Sequence, residues 1–221
     1  MIALHGDLAA YVHDGMLRHP MLSPRRYDAR FSGLYDRELQ VKLADVEMAE
    51  LTRNWPRIIW LHERAFRPEA LQRVADKLTD SQYWAMVAEV WLDAEFIDVE
   101  RWTDIWTLPR AYRDHVMTVD EHKALAQIPD DEITIYRGCT SDTVQGLSWS
   151  LNPSDARMVA YRLDGAPLLV TATVEKQRIQ AFFSGRPNRQ TDEVVVLERD
   201  YHPVSVKELP RRRARIMQAA E

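Results

Sequence analysis

Near residue 128 the chain changes its hydrophobic period, and no single regular architecture serves both sides of the change. Before that point apolar residues recur at three and four positions; after it they alternate. A helical period followed by a period of two, in 221 residues, predicts an α+β protein with a helical region first and a β-rich unit second. The expected divisions are 1–128 (a helical support, lid or target-docking region), 129–210 (the β-rich core) and 211–221 (a basic tail).

The helical signals are local and specific. Leu39, Leu43, Val46 and Ala49 share a face over 35–52, and Pro68 suits a first helical turn ahead of Leu71, Val74, Ala75 and Leu78. Thr79 with Gln82, and Thr118 with Glu121, have capping-box spacing. Trp84, Val87 and Trp91 fall on one face, as do Trp102, Ile105 and Trp106, until Pro109. Six of the seven tryptophans lie before residue 128, and large aromatics at helical spacing read as core rather than as a ligand groove.

Strand signals follow. Glu132 to Arg137 alternates and Gly138 is expected to end it; 146–150 reads as a short strand. Asn152-Pro153 opens a helix whose Ala156, Val159 and Ala160 are small enough to sit close to a sheet. Residues 168–174, 179–183 and 193–197 read as strands, and Val204 with Val206 as a short last one.

Composition narrows the function. A chain of this length buries roughly 70% of its unfolded surface, so no disulfide or metal is required for folding. One cysteine excludes a disulfide framework and a multi-cysteine zinc site, and the histidines lack metal-ligand spacing, so no metal is expected. A start without a basic, apolar leader and the lack of any apolar run of ~20 residues lead to the expectation of a cytoplasmic protein with no membrane partner. The net charge of −5 lies before residue 129, with 16 basic against 21 acidic residues; the remainder balances at 13 of each. This is not the profile of a strongly basic nucleic-acid binder. The exceptions are Arg186 and Arg189 in one loop and Arg211, Arg212, Arg213 and Arg215 in the tail, which reads first as a solvated end. No Walker loop or GxGxxG is present. Cys139 reads as a buried thiol rather than a nucleophile, there being no histidine near it in sequence.

Three polar residues stand at strand positions: Arg137 in Tyr-Arg-Gly, Ser148 in Ser-Trp-Ser, and Glu193 before three valines. A carboxylate opening so apolar a strand either lies at its mouth or is costly to bury. In this order, with a helix of small residues, two strands and a polar loop between Ser150 and Glu193, the set resembles the R-S-E class of mono-ADP-ribosyltransferases. The resemblance covers roughly residues 130–200; Trp149 replaces the threonine usual in Ser-Thr-Ser, as in divergent bacterial and phage members.

The resemblance implies a split, twisted β core of ADP-ribosyltransferase type binding NAD as co-substrate. Glu193, Arg137 and Ser148 would be catalytic, and Arg137, Gly138, Ser148, Trp149, Ser150 and Phe183 would bind NAD. Arg137 would hold the diphosphate through paired charge-assisted bonds. Ser148 would orient Glu193, which would hold the nicotinamide-ribose 2′-hydroxyl and stabilise an oxocarbenium-like centre. Of Phe182 and Phe183, one is expected in the core and the other free to stack on nicotinamide or an acceptor base. The target-recognising loop maps to 184–192, with Arg186, Arg189, Thr191 and Asp192 as acceptor contacts. Arginine-modifying members carry an acid two residues before the glutamate; here Thr191 stands there with Asp192 adjacent, and the loop arginines suit an acidic or nucleic-acid acceptor. The expected activity is transfer of ADP-ribose from NAD to a macromolecular acceptor, protein or nucleic acid. The alternatives are an NAD glycohydrolase, an enzyme cleaving another N-glycosidic bond such as one in nucleic acid, or a non-catalytic binding module of the same fold.

Overall fold

Side-chain caps at Asn54, Thr79, Asp98, Thr118 and Asn152 set the starts of five of the described α-helices. A computed structural model describes residues 6–129, 131–186 and 191–210. Arg189 and the basic residues from Arg211 onward lie outside the described residues. The chain divides into two compact units on either side of the Val116–Met117 bond.

The first unit begins with α1 (Gly6–Ala9) and three two-residue strands, β1 (Val12–His13), β2 (Met16–Leu17) and β3 (Arg25–Arg26), paired antiparallel in that order. Strands this short carry no readable period, so the sequence gives no sign of them. Helices α2 (Ser32–Leu51), α3 (Trp55–Leu61), α4 (Arg67–Val74), α5 (Asp80–Asp93) and α6 (Val99–Thr107) follow. Both arms of the Thr79–Gln82 capping box are present at the start of α5. Four of the six tryptophans form core: Trp84, Trp91, Trp102 and Trp106 are fully buried, with Trp91 edge to face on Trp102 at 4.8 Å between ring centroids, whereas Trp55 and Trp60 are half-buried. In α2, Leu39 and Ala49 are buried as expected, whereas Leu43 is exposed. Apolar residues are spread around this helix, with Leu34, Val41 and Met48 also exposed, so it has no single core stripe.

The second unit opens with α7 (Val119–Gln127), ahead of the change in period at 128. Its partly buried Ala124 and Leu125 pack on the core formed by the strands, which is why a helix opens a unit otherwise dominated by alternation. Strands β4 (Glu132–Cys139) and β5 (Ser148–Trp149), helix α8 (Pro153–Ala160), and strands β6 (Leu168–Glu175), β7 (Ala181–Phe183), β8 (Glu193–Val195) and β9 (Tyr201–Glu208) complete it. They form two antiparallel three-stranded sheets, ordered β4-β6-β9 and β5-β8-β7. Reciprocal 2.8 Å backbone bonds between Tyr136 and Ser150 join them.

Gly138 does not end β4, which runs through it to Cys139. A Cβ there would lie 1.7 Å from the Ala156 carbonyl oxygen and 2.6 Å from the Ala160 nitrogen. The glycine therefore lets α8 press directly on the strand, with Ala156 and Ala160 buried at the contact. Val159, expected against the sheet, points outward. The strand expected at 146–150 is confined to 148–149. The last strand is longer than expected: β9 has eight residues, and its edge position leaves Val204 and Val206 exposed. The fold is α+β, helical first and sheet-based second.

Candidate functional site

Strand register brings Ser148 and Glu193 together. Ser148 pairs with Val195 and Trp149 with Val194, so Glu193 lies two residues along β8 from the partner of Ser148, on the same face. The Ser148 hydroxyl donates to Glu193 Oε1 at 2.5 Å. Glu193 is only 5% exposed. Of the two possibilities open to a carboxylate before three valines, burial against hydrogen-bonding partners is the one realised.

Arg137 approaches from the neighbouring sheet. Its Nη1 donates to the Ser148 carbonyl at 2.8 Å and its Nε to the Thr143 carbonyl at 3.3 Å. The guanidinium lies flat against Gly146, where a Cβ would fall 2.4 Å from Cζ. Gly146 is itself held from below: its carbonyl accepts the Trp149 indole N–H at 3.0 Å, and Trp149 packs edge to face on Tyr201 at 4.5 Å. Burial lowers the Arg137 pKa, opposed by Cys139, Tyr201 and Glu193 nearby. Burial pushes the Cys139 thiol up, so this residue has the environment of an inert core thiol. Arg137, Ser148 and Glu193 thus form one connected chain in which the arginine fixes the serine's backbone and the serine's hydroxyl fixes the carboxylate.

A cavity of about 100 Å³ opens over this chain. Arg137, Gly138, Ser148, Trp149, Ser150, Thr191, Asp192 and Glu193 line it, as eight of the sequence candidates. Ser150 Oγ also accepts the Asn152 N–H at 3.0 Å, shaping the turn into α8. The cavity further takes in Tyr136, Asp155 and Val159. Asp155 was not legible as a site residue, because an acid in the first turn after an Asn cap is ordinary helix chemistry. A larger hollow of about 870 Å³ lies where Glu132 pairs with Glu175, and contains no residue the sequence singles out for the site.

Among the described candidates, Phe183 and Arg186 are not brought to the cavity. Phe182 and Phe183 are both buried, Phe183 at 1% exposure with the Arg186 guanidinium 5.5 Å from its ring centroid. Alternation does not free either ring, because this strand is covered on both faces. Arg186 is engaged by Glu121, its Nε and Nη2 meeting the two carboxylate oxygens at 2.6 and 2.7 Å. Arg189 lies outside the described residues.

The chain covers a ring-sized space with a buried, serine-bonded carboxylate and a clamped arginine, an arrangement able to stabilise a developing positive charge beside a bound anion. Among the described residues there is no cluster of His, Cys, Asp or Glu that could hold a metal ion, and no helix is long and apolar enough to cross a membrane. Comparison with protein-family models, curated proteins and solved structures gave no match.

Proposed function

We propose that this protein cleaves the ribose–nicotinamide bond of NAD and transfers ADP-ribose to a macromolecular acceptor, on a split β core of ADP-ribosyltransferase type. The observation that carries the reading is the Ser148–Glu193 hydrogen bond, backed by the Arg137–Ser148 contact. Three residues from three strands, each weak as a motif, lie in one hydrogen-bonded chain, which supports this reading.

The site residues divide the work as follows. The cavity is far below the ~300–1,000 Å³ of a drug-sized ligand site, so it takes one ring-sized group and leaves the rest of a dinucleotide on the open surface. Trp149, Ser148 and Ser150 would border the nicotinamide ring. Arg137 spends Nε and one Nη1 hydrogen on the 143–148 loop; its remaining N–H groups would meet the diphosphate. Glu193, turned by Ser148, would accept the ribose 2′-hydroxyl. As the C–N bond breaks, its electron pair leaves with nicotinamide, and the carboxylate stabilises the cationic ribose carbon. The acceptor's nucleophile then bonds that carbon and gives up its proton to solvent.

Acceptor choice shifts relative to the sequence reading. Arg186 is committed to Glu121, while Asp155 and Asp192 line the cavity, so the described residues favour a protein acceptor over a phosphate-bearing one. Incubation with labelled NAD and, separately, lysate protein, DNA or RNA tests this. Label on protein is expected. Label on nucleic acid would reverse the acceptor assignment, nicotinamide release without transfer would make the enzyme a glycohydrolase, and no NAD turnover would end the reading.

A further inference from the structure

Glu121 is 2% exposed and sits beyond the cavity, yet its carboxylate gathers five donors. The Thr118 N–H and hydroxyl reach Oε2 at 2.7 and 3.0 Å, closing the capping box of α7. The Ser184 N–H reaches Oε1 at 3.2 Å. Arg186 completes the set with a two-pronged ion pair, Nε to Oε1 at 2.6 Å and Nη2 to Oε2 at 2.7 Å. Burial pushes this carboxyl's pKa up, but the Arg186 and Thr118 bonds outweigh it and hold the group below the ordinary glutamate value.

A helix cap needs only the Thr118 bonds and would stand in solvent; the other three tie the helix start to the root of the loop after β7. That root lies across from the candidate catalytic carboxylate, since Phe183 pairs directly with Glu193. Ser184 follows Phe183, and the Arg186 guanidinium covers the Phe183 ring. Glu193 sits on the central strand of its sheet, flanked by β5 and β7. Ser148 fixes it from one side; on the other, the strand's position depends on what holds β7 and its exit.

We infer that Glu121 is a positioning residue: through Ser184 and Arg186 it anchors the exit of β7 and so holds Glu193 in register over the cavity. This role rests on the reading of Glu193 as the reacting carboxylate. It also reassigns Arg186, from a loop residue aimed at an acceptor to one half of an internal clamp. The sequence marks Glu121 only as a capping residue, and its partner lies 65 positions away.

Glutamine at 121 keeps the size of the side chain and a single acceptor oxygen, which can serve Thr118 or the Ser184 N–H but not both, and it loses the charge that Arg186 pairs with. The test uses Glu121→Gln, Arg186→Ala, Arg186→Lys and the Glu121→Gln/Arg186→Ala double variant, with NAD alone as probe. Nicotinamide release gives kcat and KM, and backbone hydrogen exchange is followed over 181–186. Each of Glu121→Gln and Arg186→Ala is expected to lower kcat by about ten- to a hundredfold, the range for a slightly misplaced group, with KM for NAD unchanged. Exchange over 181–186 should quicken in Arg186→Ala. The double variant should be no slower than the worse single one, because the two residues act as a unit. Arg186→Lys should recover only part of kcat, since an ammonium cannot pair with both oxygens. Unchanged kcat in folded single variants, or losses that multiply in the double variant, would overturn the positioning role. A wild-type protein that releases no nicotinamide would instead overturn the reading of Glu193, and exchange over 181–186 would then report whether the clamp alone exists.

Discussion

The two units bury different things. In the first, the buried polar or charged residues among those described are His19, Ser32 and His62, set among four fully buried tryptophans. In the second they are Glu121, Thr140, Ser150 and Glu193, so both buried carboxylates of the described residues lie there. An apolar core rewards burial directly, whereas a buried carboxylate costs free energy unless donors surround it. The first unit is therefore arranged for stability. The second gives up some stability to hold two carboxylates in fixed places, Glu193 at the cavity and Glu121 beyond it.

The largest effect expected from breaking this contrast is in the first unit. Trp91→Ala removes a ring packed on Trp102 and Trp106 and should cost about 3–5 kcal/mol of unfolding free energy, read by denaturant titration. A loss near zero would mean that the aromatic cluster is not the core. In the second unit, a change at the cavity should do the opposite, disturbing function more than stability. Gly146→Ala puts a methyl where the Arg137 guanidinium lies, a side-chain end able to move aside. KM for NAD should rise about tenfold, with a stability loss at the low end of overpacking, about 1 kcal/mol. Global unfolding by this substitution would blur the distinction between the units.

The smallest effect concerns pH. Burial lowers the pKa of His62, whose Nδ1 lies 2.8 Å from the Ile58 carbonyl and whose Nε2 lies 2.8 Å from Arg73 Nη2. A depressed folded-state pKa means that the unfolded chain binds the proton more readily. The stability tied to neutral His62 is thus full above the unfolded value of about 6.5 and is lost as pH falls through the lower folded one. Thermal unfolding from pH 7.5 to 5 should therefore fall more steeply for the wild-type protein than for His62→Gln; equal slopes would remove His62 from the account.

What was legible in the sequence follows from range. Capping boxes act over three residues, so Thr79–Gln82 and Thr118–Glu121 could be read directly. Helical stripes in α5 and α6 likewise place their tryptophans in the core. The candidate site is readable as three strand residues, yet the meeting of Ser148 and Glu193 depends on register between segments 45 positions apart, which no local pattern encodes. The same limit hid the Glu121–Arg186 clamp and the burial of Phe183. Gly138 is ambiguous for a related reason: glycine suggests a strand end locally, but here it serves the close approach of α8.

The central claim is that Glu193, positioned by Ser148, stabilises the breaking of the nicotinamide bond. Nicotinamide release from NAD by the wild-type protein and by Glu193→Gln, both shown folded by thermal unfolding, tests it most directly. The account predicts a fall of about 10²–10³-fold in kcat, the scale set by removing one preorganised electrostatic group. Equal turnover by both folded proteins would contradict it.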